Sequence, residues 1–188
     1  MSEPSYDAYE DYDVDDILVP RRKKVDGGKK GKRTERNLVS VLTKRFGEGF
    51  SRSLGSGNRW GQVAHLPKHA KDTLTGDLCC PKGFRFTVES KGGYSGIDLD
   101  SIFVRGNSEL DKFLEQATKD ANRCNRKPLL MWKRDRKPWL AFVRTAELKG
   151  RAFKYRLQYG KWTCVALEHL LKLEDDFFFE KPDETDLG

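Results

Sequence analysis

Apolar positions along this chain change period several times, and each change marks an element. Between Arg33 and Phe46, the residues Leu38, Val39, Leu42 and Phe46 lie on one stripe, which predicts an amphipathic helix with Thr34 as its cap. Gly47 and Gly49 end it, and residues 50–54 then read as a short strand before a Gly-Ser-Gly turn at 55–57. Residues 58–73 show no period and predict an irregular loop. The run from Gly76 to Cys80, stopped by Pro81-Lys82-Gly83, predicts a strand paired as an antiparallel hairpin with residues 84–91. In that second strand Phe84, Phe86 and Val88 alternate with Arg85, Thr87, Glu89 and Lys91. The apolar side chains therefore share one face, and the carboxylate and ammonium at the strand's end share the other.

Ser108 is placed to cap a second helix running to about Asn125, with Leu110, Phe113, Leu114, Ala117 and Ala121 as its buried stripe. Residues 128–132 and 139–143 predict two strands joined by the charged turn KRDRK. A further hairpin is predicted around Gly160, followed by one or two helical turns over 167–173. Together these elements predict one α/β domain, a mixed central sheet flanked by helices. The expected limits are a disordered acidic tail and basic linker at 1–28, the domain with an added C-terminal hairpin at 29–173, and an acidic tail at 174–188.

Charge sharpens this picture. The 188 residues carry a formal net charge of +7, but residues 1–16 hold seven acids and no base, and residues 174–188 seven acids and one lysine. The remaining body has 35 bases against 15 acids, an excess of 20. Such a body is expected to bind a polyanion, with nucleic acid foremost. No apolar run reaches the length of a membrane span, so no membrane partner is expected and the expected setting is cytoplasmic, the host cytoplasm for a viral protein. Cys79, Cys80, Cys124 and Cys164 form no CxxC pair and read as reduced thiols. His65 and His69 precede two of them at a spacing that matches no ordinary zinc site.

Candidate chemistry gathers on the strand that ends at Lys91. Asp77 and Glu89, on neighbouring strands, could hold one Mg²⁺ with the Ser90 carbonyl as a further oxygen ligand. Lys91 could orient an attacking water or stabilise charge, and Glu35, from the first helix, could complete the shell or hold a second metal. Each of these residues also has a plainer role open to it: Glu35 at a helix start, Asp77 in a turn, and the arginines on a solvated face.

GD followed by VESK resembles the PD-(D/E)xK nuclease motif, with Gly76 where that family often has proline. The flanks KRTERNLVSVLTKRFG and FSRSLGSG resemble the archaeal-type Holliday junction resolvases, which also occur in viruses. The likeness spans about residues 30–91 and, more weakly, the helix bearing Gln116. It implies a restriction-endonuclease-like core and a Mg²⁺-dependent endonuclease, with Mn²⁺ substituting, that acts as a homodimer on branched DNA and makes paired nicks in four-way junctions. It implies catalytic roles for Glu35, Asp77, Glu89, Lys91 and Gln116, and metal-site roles for Glu35, Asp77 and Glu89. Arg33, Arg36, Arg52, Ser53 and Ser56 are the implied DNA contacts. Two readings stay open beside it: another nuclease of the same superfamily cutting flaps, ends or a specific sequence, and a non-catalytic DNA-binding or assembly protein.

Overall fold

Burial follows the predicted stripes. A computed structural model of the chain describes residues 27–53, 65, 74–94, 97, 102 and 106–180. In chain order these form α1 (Gly27–Phe46), β1 (Ser51–Arg52), β2 (Leu78–Cys79), β3 (Phe86–Gly92), α2 (Ser108–Arg123), β4 (Lys127–Lys133) and β5 (Trp139–Arg144). A 3₁₀ turn (Thr145–Leu148), β6 (Leu157–Tyr159), β7 (Trp162–Ala166), α3 (Leu167–Leu170) and α4 (Asp175–Phe178) complete the order. The main sheet runs β3-β4-β5-β7-β6. β3 and β4 are parallel, joined by α2 as the crossover, and every other neighbour is antiparallel. This is the mixed sheet expected from the sequence.

One apolar layer lies between α1 and the sheet, where Leu38 and Leu42 pack with Phe86, Val88, Leu129, Met131 and Val143. The other lies under α2, where Leu110, Phe113, Leu114 and Ala117 meet Leu130, Trp132, Phe142 and Trp162. β4 feeds both layers because its side chains alternate and both of its faces are covered. All four cysteines are free thiols, three of them buried. Among the described residues no helix is long and apolar enough to cross a membrane.

The structure corrects several sequence expectations. α1 begins at Gly27, not Arg33, and Thr34 lies inside it with its hydroxyl donating to the Lys30 carbonyl, so it caps nothing. The first turns are basic and glycine-containing and have no apolar period to reveal them. Asn107, not Ser108, caps α2 by accepting from the N–H groups of Glu109 and Leu110. β2 forms its ladder with β1 rather than with β3, and the Asp77 N–H donates to the Val88 carbonyl at 3.0 Å.

Residues 174–180, read as the start of an acidic tail, pack against the domain, their acids exposed and Phe177 and Phe178 in the core. Phe177 and Phe178 are fully buried in a cluster with Phe46, Phe84 and Phe86. The backbone there bonds to the segment before β3: Arg85 N–H donates to Phe178 O, and Glu180 N–H to Gly83 O, each at 2.8 Å. Arg45 and Arg151 neutralise Asp175 and Asp176 at 2.7 and 2.9 Å. Residues 1–26 and 181–188, the rest of the expected tails and linker, lie outside the described residues.

Candidate active site

The C-terminal half of β3 carries the site. Among the described residues β3 lies at the sheet's edge, where β4 alone pairs with it along its length, and its outer backbone groups face Asp77. Val88 O accepts from the Asp77 N–H, and the Ser90 N–H donates to Asp77 Oδ2 at 2.8 Å. Alternate residues of a strand aim both N–H and C=O at the same side, so the Ser90 carbonyl points to the edge where Asp77 sits. Glu89 and Lys91 project from the sheet face under α2. Lys91 Nζ donates to Glu89 Oε1 at 2.5 Å and to Gln116 Oε1 of α2 at 3.0 Å. It also lies 5.3 Å from the centre of the Phe113 ring.

Glu35 is buried in α1, with Oε2 accepting from Arg52 Nε at 2.7 Å. It is close enough to Asp77 for their charges to interact. Thus the structure brings Asp77, Glu89, Lys91 and Gln116 into one cluster, with Glu35 at its margin. Arg33 and Arg36 are exposed on the outer face of α1. Ser53 is buried, and its hydroxyl donates to the Leu74 carbonyl. Ser56 lies outside the described residues, as does His69.

Electrostatically the cluster is short of positive charge. Burial raises Asp77 from 3.8 to about 6, opposed by the Ser90 N–H and Lys91. Glu89, 1% exposed, is raised from 4.5 to about 8 by burial first and Asp77 second, again opposed by Lys91. Burial works against the charge on Lys91, yet the adjoining carboxylates, Glu89 first, carry it above its ordinary value. Glu89 Oε2 is buried and, among the described residues, has no hydrogen-bond partner. An orphaned carboxylate oxygen in so apolar a place is costly unless something else satisfies it. A hard divalent cation would satisfy it and draw both carboxylates back to the ionised form. Among the described residues no group of three His, Cys, Asp or Glu side chains is placed to hold a metal ion. Two carboxylates and a carbonyl suffice for Mg²⁺, which keeps several waters and completes its shell from substrate phosphate. The residues therefore fit a divalent metal.

Sequence reasoning missed Asp120. Its carboxylate adds to the negative field on Asp77 and Glu89 while pairing with Arg123 at 2.8 Å. Phe113, Gln116 and Asp120 recur at i, i+3 and i+7 of α2, so helical spacing from Gln116 was the available signal.

The chain matches, over residues 26–175, the family described as "Phage putative PDDEXK endonuclease". It belongs to that family. Protein D14 of Escherichia phage T5 is 32% identical over 120 residues, covering 62% of this chain and 69% of that protein. Among solved structures, a Holliday junction resolvase from the archaeal hyperthermophile Archaeoglobus fulgidus aligns with 73% of this chain and 89% of its own at 19% identity. Its TM-score of 0.35 is too low to add to the fold described above. As a PD-(D/E)xK endonuclease the chain is a nuclease, and nucleases of this superfamily generally use divalent metals.

The glycine at the family's proline position has a conformational reason. Gly76 has φ +89°, whereas proline is held near −65°. A Cβ at Gly76 would come within 2.8 Å of Thr87 Cγ2 and 2.9 Å of the Val88 carbonyl. Gly76→Ala is expected to destabilise the fold by about 2 kcal/mol or more, from left-handed strain and overpacking together. Thermal melts check this; an unchanged midpoint would mean that the approach of Asp77 to β3 does not depend on the missing side chain.

Proposed function

We propose that this endonuclease is a Mg²⁺-dependent, structure-selective DNA nuclease, a Holliday junction resolvase acting as a homodimer. The observation that carries the hydrolytic part is the buried Glu89, which has one oxygen without a hydrogen-bond partner among the described residues, the other holding Lys91, and a charge that interacts with that of Asp77. The junction preference rests on the resemblance of the α1 and serine-loop sequence to archaeal-type resolvases. In this reading Asp77, Glu89 and the Ser90 carbonyl hold the metal, with Glu35 completing the shell; Mn²⁺ substitutes for Mg²⁺. Bound there, a divalent ion supplies Lewis acidity and lowers the pKa of water.

The chain's own residues do the rest. Glu89 and Gln116 hold the Lys91 ammonium by two hydrogen bonds, which leaves its third donor to orient water or meet charge developing on a phosphate oxygen. The pair restricts a flexible side chain that would otherwise have to be ordered on the way to the transition state. Arg33, Arg36 and Arg52 contact phosphates in this reading, with Ser53 and Ser56 nearer the scissile bond. Arg52 engages Glu35 through Nε, so a phosphate contact falls to its terminal N–H groups.

The test is a panel of labelled four-way junction, flap and linear substrates incubated with the protein in Mg²⁺ and in Mn²⁺. Paired symmetric nicks in the junction, with little cutting of the others, are expected. Preferential cutting of flaps, ends or one sequence would move the assignment to another branch of the superfamily. Tight binding without cutting in either metal would leave only a DNA-binding role.

A further inference from the structure

Beyond the residues implied by the motif, a second basic element stands at the same end of the sheet. β3 and β4 are parallel, so the turn after β4 emerges beside the end of β3. Lys91 is opposite Trp132 and Gly92 opposite Lys133. The junction is stitched on both sides: Gly93 N–H donates to Lys133 O at 2.8 Å, and Trp132 Nε1 donates to Gly93 O at 3.1 Å. The turn that follows, Lys133-Arg134-Asp135-Arg136-Lys137, has four bases and one acid. That acid is engaged by α1, where Lys30 Nζ meets Asp135 Oδ2 at 2.6 Å.

The turn is also held in shape. Lys133 Nζ donates to the Lys137 carbonyl, and the Arg134 guanidinium lies over the Trp132 ring at 5.2 Å. Arg136 takes a left-handed conformation, φ +57°, and both it and Lys137 are exposed. On α1, the helix tied to this turn, Lys29, Lys32, Arg33 and Arg36 are all exposed at i, i+3, i+4 and i+7, a single stripe. The turn's one acid is thus neutralised from another element and two contacts brace its base, which leaves Arg136 and Lys137 as exposed cations on a shaped turn. From Trp132 to the tip at Arg136 is at most about 13 Å at 3.3 Å per residue. That distance equals the axial rise of about four base pairs.

We propose that the β4–β5 turn is a DNA-backbone contact that, with the basic stripe of α1, holds a duplex arm beside Lys91. The inference rests on the nuclease reading above and extends its footprint to residues that the motif does not include. Phosphate oxygens are its ligands, so it contributes affinity and register but no sequence preference.

The experiment measures binding of the full chain to a labelled duplex and to a four-way junction in metal-free buffer between 50 and 200 mM salt. Arg136→Asn with Lys137→Gln removes two charges while keeping a residue that tolerates the left-handed backbone. Lys82→Gln with Lys149→Asn, at the opposite end of the sheet, is the charge-matched control. Two lost phosphate contacts are expected to lower the slope of log K against log salt by about 2, so that the variant loses roughly tenfold less affinity over this range than wild type. The control should keep both the wild-type slope and the wild-type cleavage rate. A variant slope equal to that of wild type, with wild-type binding intact, overturns this proposal alone. Wild type that binds DNA without cutting overturns the nuclease reading and leaves the slope test decisive. Wild type that binds no DNA overturns both.

Discussion

Glu89→Gln abolishes cleavage while making the metal-free protein more stable at alkaline pH. Both halves follow from one side chain. The neutral amide keeps the volume of a residue that is 1% exposed and keeps an oxygen for the Lys91 ammonium, so packing changes little. It removes the charge that would draw a divalent cation to the site, and a loss of at least about a hundredfold in cleavage rate is expected. In the wild type without metal, ionising Glu89 costs folding free energy, since burial has raised its carboxyl to about 8. Glutamine never ionises. Above pH 8 the variant should therefore melt higher than wild type, each kcal/mol appearing as about 2–4 °C in a chain of this size. Melting curves at pH 8.5 in chelator, alongside junction cleavage in Mg²⁺, check both halves. A variant that loses activity and also stability would mark Glu89 as a structural residue. A variant that still cuts would remove it from the chemistry altogether.

The second large effect is a stability profile that metal reverses. Asp77 and Glu89 both have folded-state values above their unfolded ones: 3.8 to about 6, and 4.5 to about 8. Between these limits the folded chain holds more protons than the unfolded chain, so stability falls as pH rises. The contribution is fully present below about pH 4 and is lost progressively until about pH 8. This slope is opposite in sign to the usual carboxylate case, where ion pairing depresses the pKa. In the proposed reading Mg²⁺ would bind the ionised carboxylates and not their protonated forms, so the stabilisation it adds is expected to grow with pH across the same window. The measurement is a series of melts from pH 5 to 8.5, in chelator and in millimolar Mg²⁺. The two curves are expected to converge at the acid end and separate at the alkaline end. Parallel curves would show that these carboxylates are not the ligands.

Much of the site was legible in the sequence because strand periodicity is local. The alternation from Phe84 to Lys91 assigned Phe86 and Val88 to the core and Glu89 and Lys91 to the opposite face, where the structure has them. The stripe of α2 likewise placed its apolar residues under the sheet and left Gln116 on the flank that reaches Lys91. Side-chain direction repeats with the backbone's own geometry, so neither result needed knowledge of distant residues.

What only the tertiary structure decided depends on which segments meet. β2 pairs with β1 instead of folding back on β3. Phe177 and Phe178 enter the core from a stretch whose acids read as a tail, because aromatic burial against Phe84 and Phe86 is a long-range gain that no local pattern displays. Asp120 joins the field of the site only because α2 crosses above β3. The Lys30–Asp135 bridge joins positions 105 residues apart. The sequence by itself determined which residues could carry charge and which face of each element they would take. Their approach, the burial that lifts the carboxylates and the edge position that opens the Ser90 carbonyl came from the packing of separate elements, since burial and proximity are properties of the assembled fold.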